Sequence, residues 1–352
     1  GDTVARLGSD EFVAIVPDLE DATHPERIAQ DIIRELGAPY QLDGMHVYVS
    51  ACIGIGLYPR DAPDAGTLMQ QADCALQVSK SEGRGHFNYA TTTLQTEVRS
   101  KIALSNDLRR ALARQELSVY YQPIIDVATG RIDKAEALLR WKHPQLGFVS
   151  PAIFIPLAED AGIIGEIGNW VFTQALADIK RWQATTNRLV QVGINKSPAQ
   201  FESPGCDWPA LLAQSGLPGS CISVEITEGL LIRNSARVKQ HLLEFSAAGI
   251  DVSLDDFGTG YSSLSYLNQF HIDYLKIDRS FVSAINSDPN SRALTEAIVV
   301  MAQKLGIRTI AEGVETVEQR DTLVALGCSC QQGFLYAPAV PEQEFRAMLA
   351  AR

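Results

Sequence analysis

The 352-residue chain has no uninterrupted apolar run near the roughly 18 residues needed to cross a bilayer, and its N-terminus lacks the basic-then-apolar layout of a signal peptide. We therefore expect a cytoplasmic location for this stretch. Basic clusters are missing as well. Its 30 Lys plus Arg face 42 Asp plus Glu, a net charge of −12 that repels polyanions and argues against a nucleic-acid polymer as partner. Cysteine is scarce: the six residues have no paired C-x-x-C spacing, which excludes a disulfide scaffold. Cys328 and Cys330 alternate before an apolar stretch, the pattern of two small residues on one strand face. A 46% hydrophobic, 20% charged composition excludes disorder, collagen and coiled coil, and the length suggests about two domains.

The chain opens directly on a hairpin pattern, Val4-Ala5-Arg6-Leu7, a turn at Gly8-Ser9, then Phe12 to Val16. With no lead-in, we expect further sequence upstream of residue 1, with room there for a membrane anchor. Periodicity predicts a helix over 24–36, a strand over 47–58 and a helix over 65–80, an α/β half-domain. The polar, helix-prone stretch 92–115 reads as a connecting helix between a first domain, 1–91, and a second, 116–352. Beyond it, eight strand-like runs alternate with amphipathic helices: 119–125, 134–139, 190–194, 222–226, 252–254, 274–277, 309–311 and 331–335. That alternation predicts a TIM-like (β/α)₈ barrel. The short turn Ala128-Thr129-Gly130 makes the first two strands a hairpin, so one strand is antiparallel.

Active sites of such barrels sit at the C-terminal ends of the strands. Here those ends carry Glu136, Asn195, Glu225, Asp255 with Asp256, Lys276 with Asp278, Glu312 and Gln332. Any one of them alone reads equally well as a solvated edge residue, a loop cap or a structural ion pair. Their recurrence at seven strand ends does not. Converging carboxylates repel one another and are costly to desolvate unless cations neutralise them. An all-oxygen set without His or Cys suits Mg²⁺ or Mn²⁺, and a carboxylate such as Asp255 could bridge two ions, the arrangement that serves in-line displacement at phosphorus. The residues thus point to a phosphodiester hydrolase.

At these residues the chain resembles the EAL-domain phosphodiesterases of bacterial second-messenger signalling. The resemblance rests on Tyr121-Gln122-Pro123-Ile124, Glu136-Ala137-Leu138-Leu139-Arg140-Trp141, Phe154-Ile155-Pro156, Glu225-Ile226-Thr227-Glu228, the loop Asp255 to Gly260 followed by Tyr261-Ser262-Ser263-Leu264, Leu275-Lys276-Ile277-Asp278, Ala311-Glu312-Gly313-Val314-Glu315 and Gln332-Gly333, all in order. It implies two metal ions per active site, one held by Glu136, Asn195, Glu225 and Asp255, the other by Asp255, Asp256 and Glu312. It also implies that Lys276 orients the attacking water with support from Glu315 and Asp278, that Gln122, Arg140 and Gln332 contact the substrate, and that Glu228 anchors the loop after Asp255. The implied reaction cleaves cyclic di-GMP to linear pGpG in a homodimer formed through this domain. Lys196 stands where the family usually has an aliphatic residue, Phe334 where it has a Tyr, and Pro338-Ala339 where a basic residue plus Pro is common.

The first segment resembles the C-terminal part of a GGDEF domain, an α/β ferredoxin-like palm. It carries Gly8-Ser9-Asp10-Glu11-Phe12 for the signature and Ser81-Glu82-Gly83-Arg84 at the end of its last helix. Ser9 replaces the glycine that lets backbone approach a nucleotide, so the resemblance implies an inactive or regulatory cyclase module, with GTP binding reserved for an intact domain. A non-catalytic cyclic di-GMP receptor is the competing reading. Degenerate members of that kind usually lack metal-ligand carboxylates or the Asp-Asp-Phe-Gly sequence, and here both are present.

Overall fold

The computed structural model describes residues 2–17, 19, 24–42, 45–90, 103–202, 205, 207–232, 235–258 and 269–351. The chain divides into two compact units, Gly1–Leu104 and Ser105–Arg352. Among the described residues no helix is long and apolar enough to cross a membrane.

In the first unit, strands Thr3–Arg6 and Phe12–Ile15 form an antiparallel hairpin. The Arg6 guanidinium clamps its turn by donating to the carbonyls of Gly8 (2.8 Å) and Ser9 (2.7 Å). A helix follows over His24–Leu36. Strands Ile53–Ile55 and Phe87–Tyr89 pair in parallel across the helix Ala65–Ser81, whose first turn is capped by the Asp64 carboxylate accepting from Thr67 N at 2.9 Å. A Cβ at Gly54 would lie 1.9 Å from the Ala72 carbonyl, so a glycine is what lets this helix lie directly on the strand. The single strand expected over 47–58 is instead two short ones with different partners. Met45–Val47 pairs antiparallel with Tyr40–Leu42, whereas Ile53–Ile55 pairs parallel with Phe87–Tyr89. A β-branched run reports strand propensity but not where the chain changes partner.

Residues 103–111 form a helix. Of the connecting helix expected over 92–115, residues 92–102 lie outside the described residues, and residues 112–115 form a turn instead of continuing the helix. Eight strands then close a barrel: β1 (Leu117–Asp126), β2 (Arg131–His143), β3 (Gln191–Asn195), β4 (Ile222–Thr227), β5 (Asp251–Phe257), β6 (Tyr274–Ile277), β7 (Arg308–Ala311) and β8 (Cys330–Gln331). Strands β2 to β8 run parallel in sequence order. β1 lies between β2 and β8, antiparallel to both, and closes the ring. Helices Ile164–Thr186, Ala236–Ala247, Pro289–Leu305 and Val317–Leu326 lie between strands in sequence; apolar periodicity in the sequence predicts them over 167–182, 236–247, 292–305 and 317–326, and the first reaches past both ends of that span.

The interior is layered. At the N-terminal end of the strands, Lys134 donates to Gln191 and to the Tyr274 hydroxyl, and Gln191 donates to Asp251 at 2.9 Å. Above this floor sit Ile124, Tyr274 and Ile310 with Cys330 packed against them, and a buried Ser223–Ser253 hydroxyl pair at 2.7 Å. β8 is shorter than the expected 331–335 run, because after Gln331 the chain wraps around Val314. Val314 N donates to Gln332 O and Leu335 N to Val314 O, both at 3.0 Å. A Cβ at Gly333 would stand 2.1 Å from the Val314 carbonyl, so only glycine permits that approach. Cys328 precedes β8 rather than sharing a strand face with Cys330, and its thiol points to the Thr309 and Cys330 carbonyls.

Candidate active site

Period-2 geometry sends alternate residues of each strand into the barrel. Lys276, next to last in β6, is fully buried, and its ammonium meets Glu225 (2.7 Å) from β4, Glu312 (2.7 Å) just after β7, Asp255 (3.1 Å) from β5 and Glu136 (3.7 Å) from β2. Four carboxylates from four elements therefore converge on one cation. Asn195, ending β3, donates to Glu136 at 2.9 Å. Because β1 pairs with β2 opposite Glu136 and borders β8 on its other side, Gln122 and Gln332 join the same network. Gln332 Nε2 donates to Gln122 (3.1 Å) and to Glu136 (2.7 Å).

Asp255 and Asp256 are sequence neighbours, and a regular strand would point them to opposite faces. The pairing of β5 with β6 slips between Leu254 and Phe257, and Asp256 adopts a left-handed φ of 53°. This bulge brings carboxylate oxygens of Asp255, Asp256 and Glu312 within 4.8 Å of one another, a group that could hold a metal ion. All its donors are hard oxygens, matching a divalent cation of the Mg²⁺ or Mn²⁺ class.

Burial raises the Glu225 carboxyl well above its ordinary range, with the neighbouring Glu136 and Asp255 charges opposing the relief from Lys276. Glu312 is pushed up to about 7, chiefly by burial and then by Asp255 and Glu136 against the pull of Lys276. At Glu136 burial acts upward too, but Lys276 and the bonds from Gln332 and Asn195 outweigh it and hold the carboxyl below its usual value. Burial also raises Asp256, helped by Asp255 and Asp278. Lys276 itself stays protonated: desolvation lowers it, yet Asp255, Glu136, Glu225 and Glu312 together raise it well above an ordinary lysine.

The remaining expected residues sit at the edge of this constellation. Asp278 caps the helix Arg279–Ala284 by accepting from Ser280 N at 2.9 Å. The Glu315 carboxylate faces Arg279 at 3.9 Å rather than Lys276. Arg140 is half-buried, donates to the Leu139 carbonyl at 3.0 Å and lies over the Tyr120 ring. Glu228 is buried, and among the described residues neither of its carboxylate oxygens has a hydrogen-bond partner. The loop it is expected to anchor, including Tyr261 to Leu264, lies outside the described residues.

Sequence reasoning missed Gly193. A Cβ there would stand 2.0 Å from Glu225 Oε1, so the bare backbone of β3 makes the space that Glu225 fills. An isolated glycine in a strand is the available signal for such close approach.

The EAL domain model matches residues 105–339, and the diguanylate cyclase GGDEF domain model matches residues 1–86. The bifunctional diguanylate cyclase/cyclic di-GMP phosphodiesterase MucR of Pseudomonas aeruginosa is 37% identical over 99% of this chain and 51% of its own length. The cyclic di-GMP phosphodiesterase PdeR of Escherichia coli is 35% identical over 97% of this chain and 52% of its own. The chain thus spans about half the length of these curated relatives. Among solved structures, the PaMucR phosphodiesterase in complex with c-di-GMP aligns with a TM-score of 0.66 at 38% identity, covering 69% of this chain and 99% of that one. With a matching model across residues 105–339 and the closed barrel those motifs require, the chain belongs to the EAL domain family.

Proposed function

We propose that this chain hydrolyses cyclic di-GMP to linear pGpG using divalent metal, Mg²⁺ or Mn²⁺, at the C-terminal mouth of its barrel. The observation that carries the reading is the convergence of Glu136, Glu225, Asp255 and Glu312 around Lys276, beside the close carboxylate group Asp255, Asp256 and Glu312. Glu136, Asn195, Glu225 and Asp255 would hold one ion and Asp255, Asp256 and Glu312 a second. When bound, the ions supply Lewis acidity at the phosphodiester and lower the pKa of water. The named activities of MucR and PdeR and the bound c-di-GMP of the PaMucR structure support the choice of substrate.

The chain's own residues supply the rest. The Arg140 guanidinium is suited to pair with a phosphate, while Gln122 and Gln332 present amides to the substrate. Lys276, held protonated, orients the water by donation. The water oxygen bonds to phosphorus as one of its O–H bonds breaks, the bond from phosphorus to the ribose 3′ oxygen breaks, and that oxygen leaves as the 3′ hydroxyl of pGpG, carrying the proton given up by the water. Asp278 and Glu315 act at one remove, through Ser280 and Arg279. The reading extends to a homodimer through the EAL unit, checked by sedimentation velocity. It also assigns the first unit a regulatory rather than cyclase role, because Ser9 puts a side chain in the hairpin turn where the signature has glycine. Nucleotide titration of the full-length protein checks GTP binding.

The test is incubation with cyclic di-GMP and Mg²⁺ or Mn²⁺, with and without EDTA, followed by chromatographic identification of product. Metal-dependent pGpG is expected, and Glu136→Ala should lower turnover by at least about 100-fold. Tight binding without product would replace the enzyme with a cyclic di-GMP receptor.

A further inference from the structure

Within the barrel, the four carboxylates on Lys276 come from four separate elements, and their side chains expose between 2% and 18% of their surface. Unneutralised, such a ring would drive itself apart, since each carboxylate loses water and faces like charges. Among the described residues, Lys276 is the one cation at ion-pair distance from Glu136, Glu225, Asp255 and Glu312. Its stem leaves it no exposed surface. Its ammonium stands at the meeting point of the acidic side chains, 2.7 Å from two of them and 3.1 Å from a third.

We propose that Lys276 is the resident counter-ion of the site. It holds the carboxylates assembled in the metal-free protein, and it competes with metal for Glu136, Glu225, Asp255 and Glu312, so that its charge weakens metal affinity while keeping the site preformed. The competition half of this inference rests on the metal reading of the site; the assembly half does not. A protein with this device stays folded when starved of metal, and its metal occupancy is set by exchange of one cation for another rather than by folding around the ion.

Lys276→Met keeps most of the side-chain volume and removes the charge. In EDTA its Tm should fall by roughly 6–20 °C relative to the wild type, the range for breaking a buried pair in a domain of this size. Adding Glu225→Gln to Lys276→Met should restore part of that loss, because it removes one of the repelling charges; a packing defect would gain nothing. Mn²⁺ titrated calorimetrically should bind Lys276→Met about tenfold more tightly or better than the wild type, since a neighbouring positive charge is gone. An unchanged or raised Tm in EDTA, or no recovery in the double variant, overturns the assembly role. Equal or weaker Mn²⁺ binding by Lys276→Met overturns the competition. Absence of Mn²⁺ binding by the wild type overturns the metal reading itself, and the EDTA comparison still decides the assembly role. If Lys276→Met does not fold in EDTA, recovery of folded protein in the double variant confirms the proposal and failure to recover overturns it.

Discussion

At the scale of single residues, chemistry in this protein is set by what each carboxylate faces. Glu136 and Glu312 have the same functional group, yet Lys276 together with hydrogen bonds from Gln332 and Asn195 outweighs burial at the first and holds it below its usual value, while burial pushes the second to about 7. Metal binding requires the ionised form. Below that value Glu312 carries a proton that an incoming ion must displace, and Glu225, raised by burial as well, acts in the same direction, so divalent-metal affinity should rise with pH through about 7. Calorimetric Mn²⁺ titrations from about pH 6 to 8 check the expectation, and a flat profile would overturn it. Lys134, on the barrel floor, is held down to about 8 by burial and then by Arg308. Between about pH 8 and 10.5 the unfolded chain retains a proton that the folded chain has lost, so raising the pH across that window stabilises the fold. Denaturant midpoints near pH 7.5 and pH 10 should show this gain in the wild type and little of it in Lys134→Met.

At the scale of elements, the site depends on strands that depart from regularity. The bulge in β5 turns adjacent aspartates toward one place, and antiparallel β1 brings Gln122 beside Glu136 and Gln332. Gly193 of β3 tolerates no side chain without disturbing the ring, because an added methyl would stand 2.0 Å from Glu225 Oε1 and 2.9 Å from its carboxyl carbon. Gly193→Ala should cost about 1–3 kcal/mol of stability and lower turnover by tenfold or more, since Glu225 can move only by leaving Lys276. Thermal melts and initial rates would measure both. Wild-type rates in Gly193→Ala would mean that the ring tolerates displacement of Glu225.

At the scale of the whole molecule, every residue of the proposed site lies between Gln122 and Gln332, inside the unit Ser105–Arg352. The first unit contributes none. A fragment spanning 105–352 should therefore hydrolyse cyclic di-GMP with a KM within a few-fold of the longer chain, and any difference in kcat would measure regulation by residues 1–104. Product chromatography on the two proteins decides this, and an inactive but folded fragment would assign the first unit an essential part.

Much of the fold was legible because periodicity reports which face of an element is buried. The helices at Ala236–Ala247 and Val317–Leu326 and the strand Tyr274–Ile277 fall on their expected bounds. The convergence of Glu136, Asn195, Glu225, Asp255, Lys276, Glu312 and Gln332 followed from placing each at a strand end of a barrel. Partner changes were not legible, which is why 47–58 breaks in two and β8 stops at Gln331: pairing and close backbone approach are set by segments distant in sequence. By itself the sequence determined the barrel, its antiparallel first strand and the chemical identity of the ring, because side-chain type and spacing are local properties. Only the tertiary structure decided that Lys276 stands among the carboxylates, that Asp278 serves as a helix cap and that Glu315 faces Arg279, because distances and burial arise only when separate strands close on one another.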